Sequence, residues 1–210
     1  MSDLLPLFPL PNVVLFPNVF LPLHVFETRY REMVADALGG DRLIGMVLLK
    51  QGWDQRYEGG PPVFPIGCVG LITHVERLDD GRYNIVLRGV ERFRILEEDR
   101  SRLYRQAAIE VLAERPLSAE DRAAMSHHRA RLEALLAPAV EKTGADPRTT
   151  GGMNDEDLVN ALAQYLELEP IEKQALLEQN CLRSRAESLV ELLEMKIMVA
   201  RTRGVPNLAH

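Results

Sequence analysis

The hydrophobic pattern of this chain changes period once, at Arg115-Pro116-Leu117. Before that point, apolar residues alternate in short runs broken by Gly and Pro, as in strands with one face on a core; after it they recur every three or four residues, as in amphipathic helices. Pro116 disfavours helix at Arg115, and Ser118 with Asp121 three residues on is an N-cap pair, so the spacing predicts a helix starting there. The expected class is α+β, with a β-rich part over 1–115 and an all-α part over 116–210. With 210 residues, 46% apolar and 27% charged, the chain has the balance of a globular protein. At this length a folded chain buries roughly 70% of the surface its unfolded form exposes, enough for one or two cores without staples.

Within the first part, Leu4 to Phe8 and Val13 to Phe16 read as two extended, edge-like segments, because Pro6, Pro9 and Pro11 interrupt them. Phe26, Tyr30, Met33, Val34, Ala37 and Leu38 share one helical face, which Gly39-Gly40 terminates. Leu43 to Leu49 reads as a strand, and Gln51 to Pro62 as a loop holding Trp53 and Tyr57. Val69 to Val75 and Tyr83 to Leu87 alternate on either side of Asp79-Asp80-Gly81, which predicts a hairpin. Its second strand continues past a bulge at Gly89 to Ile95, and a further strand runs through Leu103, Ala107, Ile109 and Val111. Five or six antiparallel strands with such bends suggest a small, partly closed barrel.

In the second part, Met125, Leu132, Leu135, Leu136, Ala139 and Val140 lie on one helical face, with Pro138 expected to kink or end the helix. Asn154 with Asp157 caps the next helix, and Pro170 fits a first helical position after Glu169. The last helix is expected to open with Ser184-Arg185-Ala186-Glu187. Its apolar residues, including Leu192, Met195 and Val199, cover more than half its circumference. Burial within the chain or against a partner both accommodate that breadth.

Several function classes are excluded. With 25 basic residues against 31 acidic ones, the net charge is −6, which disfavours general nucleic-acid binding because phosphate neutralisation needs clustered Lys and Arg. No P-loop, Gly-x-Ser-x-Gly, Gly-x-Gly-x-x-Gly or His-Glu-x-x-His occurs. Cys68 and Cys181 stand in no disulfide or zinc spacing, so a reducing compartment is expected. Neighbouring His127 and His128 point about 100° apart on a helix and cannot form the i, i+4 pair of a helical metal site. His24, three residues before Glu27, suits a local hydrogen bond at the helix entry. Asp155-Glu156-Asp157 fits a helix N-terminus better than a metal site. The N-terminus lacks the basic flank of a secretory signal and no stretch of 18 apolar residues occurs, so the expectation is a cytoplasmic chain with no membrane segment.

One resemblance goes further. Leu5-Pro6-Leu7-Phe8-Pro9-Leu10, then Leu15-Phe16-Pro17 and Leu21-Pro22-Leu23-His24-Val25-Phe26-Glu27 with Arg29-Tyr30, closely resemble the opening of the Lon protease N-terminal (substrate-binding) domain. Ile66-Gly67-Cys68-Val69-Gly70 is similar to that family's Gly-x-x-Gly strand entry, and Gly89-Val90-Glu91-Arg92-Phe93-Arg94-Ile95 to its Gly-x-x-Arg-Phe-x-Ile segment. Thr28 departs from the proline that many relatives carry there. The resemblance implies a PUA-like pseudo-barrel of about six mostly antiparallel strands with one helix, followed by an all-α bundle ending in a long helix. It also implies a domain with no catalytic residues, metal or cofactor, whose role is to engage unfolded or tagged polypeptide and to help arrange an oligomer. Lacking the ATPase and Ser-Lys protease modules of full-length Lon, the chain is expected to be a stand-alone adaptor that works with a protease or ATPase partner and cleaves nothing itself.

Such a domain could hold an extended apolar peptide along an edge strand. Val14, Leu15, Phe16, Val19 and Phe20, with Trp53 and Tyr57, are the expected contacts, while burial of Phe16 and Phe20 in the barrel core is the open alternative. PUA-like barrels in other families bind RNA, which makes Arg88, Arg92 and Arg94 on one strand face a second candidate strip. The competing explanation is that these arginines pair with Glu76, Glu91, Glu97 or Glu98 on a solvated face.

Overall fold

A computed structural model describes residues 4–54, 60–143 and 152–203. The elements in chain order are β1 (Leu5–Leu10), β2 (Phe20–Val25), α1 (Thr28–Leu38), β3 (Leu43–Leu48), β4 (Ile66–Arg77), β5 (Tyr83–Asp99), β6 (Gln106–Leu112), α2 (Ala119–Thr143), α3 (Asp155–Tyr165), α4 (Pro170–Leu177) and α5 (Leu182–Arg203). The chain divides into two units, one of residues 1–113 with 160–178 and one of 114–159 with 179–210, so the boundary passes through α3. Residues 160–178 therefore belong with the sheet, whereas the sequence reading grouped them with the C-terminal helices. Side-chain hydrogen bonds to distant backbone carbonyls tie them there: Asn160 donates to Pro17 and Gln174 to Ile66.

The sheet runs β2-β5-β4-β3-β1-β6, and β6 also pairs with β5. Five strands thus close into a ring, with β2 appended to the outer side of β5. Only β1 and β3 pair in parallel; the remaining pairings are antiparallel. This is the expected α+β barrel with a C-terminal helical part.

Two apolar clusters occupy opposite faces of the curved sheet. Leu7, Val47, Val69, Phe93 and Ala107, one from each strand of the ring, fill its interior. Tyr30, Met33, Val34 and Ala37 of α1 cover the outer face, packing on Ile44, Cys68, Ile72, Ile85 and Leu87. Strand β5 contributes to both through a bulge. Cys68 pairs with Arg92 but Gly70 with Gly89, which leaves one extra residue on β5 and reverses its alternation. Tyr83, Ile85 and Leu87 therefore face α1, while Phe93 and Ile95, of the same parity, face the ring interior.

The bulge also explains Gly89. A Cβ there would overlap the Phe16 carbonyl, and the chain docks at this point, with Asn18 N–H donating to Gly89 C=O and Gly89 N–H to Val19 C=O. Val13 to Phe16 is thus a buried segment rather than a strand, and the second strand of the sequence lies later, at Phe20–Val25.

The prolines of β1 were expected to place it at an edge, yet β1 lies between β3 and β6. Leu7 N–H donates to Arg105 C=O on the β6 side. By alternation Pro9 faces the same side, beyond the last β1–β6 pairs at Leu5 and Pro6, so its missing N–H leaves no ladder bond unmade.

In the second unit, Ser118 caps α2 as its sequence indicated, its Oγ accepting from Asp121 N–H at 3.0 Å. The helix continues past Pro138 to Thr143 instead of ending there. Asn154 Oδ1 accepts from Asp157 N–H at 2.8 Å. Helix α5 starts at Leu182, two residues before the expected capping box, with Arg185 N–H donating to Cys181 C=O. Met125 and Leu132 of α2 and Ala186, Leu189 and Val190 of α5 are buried. Ion pairs from Arg131 to Glu194 and from Arg183 to Asp121 join α2 and α5. Arg185 is fully buried and its Nη2 donates to Glu114 at 3.0 Å.

Candidate functional site

The residues expected to contact peptide separate by burial. Val14, Leu15, Phe16 and Val19 are core residues, each no more than 3% exposed, so their side chains cannot meet a ligand in this conformation. Phe20 is half exposed on β2. Trp53 is half-buried against the ring interior beside Val63. Tyr57 lies outside the described residues.

Edge pairing on β2 is restricted as well. Tyr165 donates its hydroxyl to Phe20 C=O at 3.0 Å, so Phe20 turns its backbone groups away from β5 and toward the open edge. Alternation puts Pro22 and His24 on that same edge. Pro22 has no N–H to offer, and Tyr165 already occupies the carbonyl, which blunts the edge against strand addition. His24 uses its ring across the strands, its Nδ1 2.7 Å from Asn84 Oδ1, rather than at the helix entry, where Glu27 instead pairs with Arg29.

The three arginines do not form one strip. The β5 bulge separates Arg88 from the other two, and Arg92 is buried with its Nη1 donating to Leu177 C=O. Arg94 pairs with Glu110 at 3.1 Å. The electrostatic footprint that supported RNA binding is absent from this face.

A different concavity is present in the sheet unit. A groove of about 540 Å³ lies where the end of α1 meets the first residues of β1 and the strand β6. Leu4, Leu5, Pro6, Leu43 and Ile109 line it together with the small residues Ala35, Gly39 and Gly40. Asp36, Asp41, Arg102, Tyr104 and Gln106 also line it, so the groove is mixed, apolar side chains alternating with charged and polar ones.

The polar groups converge on Asp36. Tyr104 donates its hydroxyl to Asp36 Oδ2 at 2.7 Å, and Arg102 donates to the same oxygen. The Tyr104 pKa is pushed up to about 12, first by burial and then by the Asp36 carboxylate that accepts its proton. The hydroxyl therefore remains protonated at neutral pH and serves as a fixed donor, not as a base. Among the described residues, no group of three or more His, Cys, Asp and Glu side chains comes together to hold a metal ion. The arrangement presents a fixed carboxylate and guanidinium at the side of an open groove.

None of the expected contacts among the described residues lines this groove. Its walls come from positions 4–6, 35–43 and 102–109, which no local pattern connects. The one available signal was the small-residue end of α1, which reads equally as a helix stop.

Comparison with known proteins agrees with this architecture. The N-terminal domain of Mycobacterium avium complex Lon protease superposes with a TM-score of 0.73 at 15% identity, over 91% of this chain and 98% of that one. The Lon N-terminal domain protein from Xanthomonas campestris gives 0.61 at 22% identity, over 90% and 98%. By sequence, Lon protease 2 of Myxococcus xanthus is 25% identical over 199 residues, which are 92% of this chain and 24% of the relative. Lon protease of Dictyoglomus thermophilum is 31% identical over 113 residues, 54% of this chain and 14% of that protein. The chain thus spans about a quarter or less of the length of these relatives. The family profile for the substrate-binding domain of the ATP-dependent protease La (LON) matches residues 4–195. The chain belongs to the LON substrate-binding domain family.

Proposed function

We propose that this chain is a non-enzymatic polypeptide-recognition module, an adaptor that holds extended, partly apolar segments of unfolded protein for a proteolytic ATPase partner. The observation that carries this reading is an open groove of about 540 Å³ with a mixed apolar and polar lining, on a chain of the substrate-binding family. Peptide side chains would pack on the half-buried Leu4, Leu43 and Ile109, while Asp36 and Arg102, held by Tyr104, supply hydrogen bonds to the peptide backbone. Tyr104 and Arg102 are engaged with Asp36, a positioning arrangement that suits binding better than proton transfer.

Fluorescence anisotropy of a labelled, reduced and carboxymethylated polypeptide tests this, with a labelled RNA oligonucleotide at the same salt alongside. The polypeptide is expected to bind and Ala35→Arg to weaken it, because residue 35 is an exposed helical position on the groove rim where Arg preserves the helix. Equal binding by wild type and Ala35→Arg would remove the groove from the account. RNA binding that falls steeply with salt would replace it with nucleic-acid recognition.

A further inference from the structure

Beside the groove, and sharing Tyr104 with it, lies a smaller and more enclosed pocket of about 40 Å³. Arg105 projects into this pocket with its side chain only 10% exposed. Its Nη2 donates to Pro61 C=O, but its Nη1 is buried without a hydrogen-bond acceptor among the described residues. Glu98 Oε2 stands 3.7 Å from that nitrogen, beyond hydrogen-bond distance, and is shared with Arg100. Glu98 meets the charge of Arg105 without giving this nitrogen a hydrogen bond, and a buried donor left without an acceptor is unfavourable, so an arriving acceptor gains there what solvent cannot supply.

The surroundings decide what kind of acceptor. Arg29 lines the same pocket, its guanidinium 4.5 Å over the Tyr30 ring. Among the described residues, the guanidinium groups of Arg29, Arg100 and Arg105 stand with two carboxylates, Glu27 and Glu98, a balance that favours an anion. Burial, then the fields of Arg100 and Arg29, lower the Arg105 pKa against the opposing effect of Glu98. Gly60, at a φ of +74°, keeps the cationic edge open: a Cβ there would stand 2.9 Å from both Arg100 Nη1 and Arg105 Nη2. The volume suits a planar carboxylate better than a phosphate ester, and a guanidinium fork matches that plane. Leu103, 67% exposed, stands with Pro9 and Pro61 among the pocket's lining residues, an apolar border for the residue that carries the charge.

We propose that the Arg105 pocket is a carboxylate-binding site, filled by the C-terminal carboxylate or an acidic side chain of a polypeptide next to an apolar residue. The polypeptide source rests on the function proposed above; the carboxylate chemistry does not. Three N-acetylated five-residue peptides distinguish the sources: one ending Ala-Leu-Leu as the free acid, its C-terminal amide, and the amide with Glu replacing the last Leu. By calorimetry, the free acid or the Glu peptide is expected to bind about tenfold tighter than the plain amide, as one charge-assisted hydrogen bond implies. Whichever binds tighter names the source. That preference is expected to vanish in Arg105→Gln and to shrink in Arg105→Lys, which retains the charge without the fork, while Leu103→Ser weakens all three peptides. Equal binding by all three, or an undiminished preference in folded Arg105→Lys, overturns the proposal. Should no peptide bind, the polypeptide reading fails, and titration with sodium acetate decides the pocket: a saturable shift of the Arg105 Nε–H resonance supports it, and an unmoved resonance overturns it.

Discussion

The backbone N–H of Phe16 donates to Oε1 of Gln164 at 3.1 Å, a buried hydrogen bond between positions 148 residues apart. Phe16 is fully buried in a segment with no strand partners, so this amide depends on a side chain for its acceptor. Gln164 C=O in turn receives Lys173 Nζ, which links α3 to α4. Replacing Gln164 by Leu removes the acceptor and retains the bulk. We expect a loss of about 1–3 kcal/mol, the usual effect of orphaning a buried amide, read from urea denaturation. A change below about 0.5 kcal/mol would mean that water or a relaxed loop satisfies Phe16.

Arg185 and Glu114 make a different prediction because both partners are charged. Arg185 is fully buried and the Glu114 side chain is 20% exposed. Removing only the guanidinium, by Arg185→Met, leaves the carboxylate in a poor environment and is expected to destabilise by about 3 kcal/mol. The double variant Glu114→Gln with Arg185→Met is expected to recover most of that loss. Recovery is the informative result, since a merely lost packing contact would not return when the second charge is removed.

Tyr104 gives the pH dependence. Its folded-state pKa of about 12 lies above the ordinary tyrosine value of 10.0. Below pH 10 the phenol is protonated in both states and stability is unaffected by this group. Between about pH 10 and 12 the unfolded chain releases the proton and the folded one does not, so stability falls as pH rises. Absorbance at 295 nm should show one late-titrating tyrosine that disappears in Tyr104→Phe. In Asp36→Asn the same step should move down without reaching the ordinary value, because burial, the larger cause, remains.

Local rules made parts of this structure readable. The β4–β5 hairpin follows from alternation on both sides of Asp79-Asp80-Gly81, and the starts of α2, α3 and α4 from Ser118, Asn154 and Pro170. Strand β2 was hidden because Pro22 interrupts it and Leu21 and Leu23 supply no clear contrast of faces. The arginine strip was misread because a one-residue bulge reverses every later side chain, a shift that period counting cannot detect. The groove was out of reach for a further reason: the loop carrying Arg102 and Tyr104 meets Asp36 across 66 and 68 residues. Apolar alternation carries a strand through Leu103, whereas β6 begins at Gln106, and Tyr104 and Arg105 before it line the pockets.

Unfolded polypeptide held in the groove between α1, β1 and β6 would shield the backbone amides around it. Hydrogen–deuterium exchange of the protein, alone and with saturating carboxymethylated polypeptide, tests it most directly. Slowed exchange is expected over Ala35 to Leu43 and Arg102 to Ile109, with Phe20 to Val25 unchanged. Protection of the β2 edge, or of the exposed Met195, Met198 and Val199 on α5 with the groove unaffected, would contradict it.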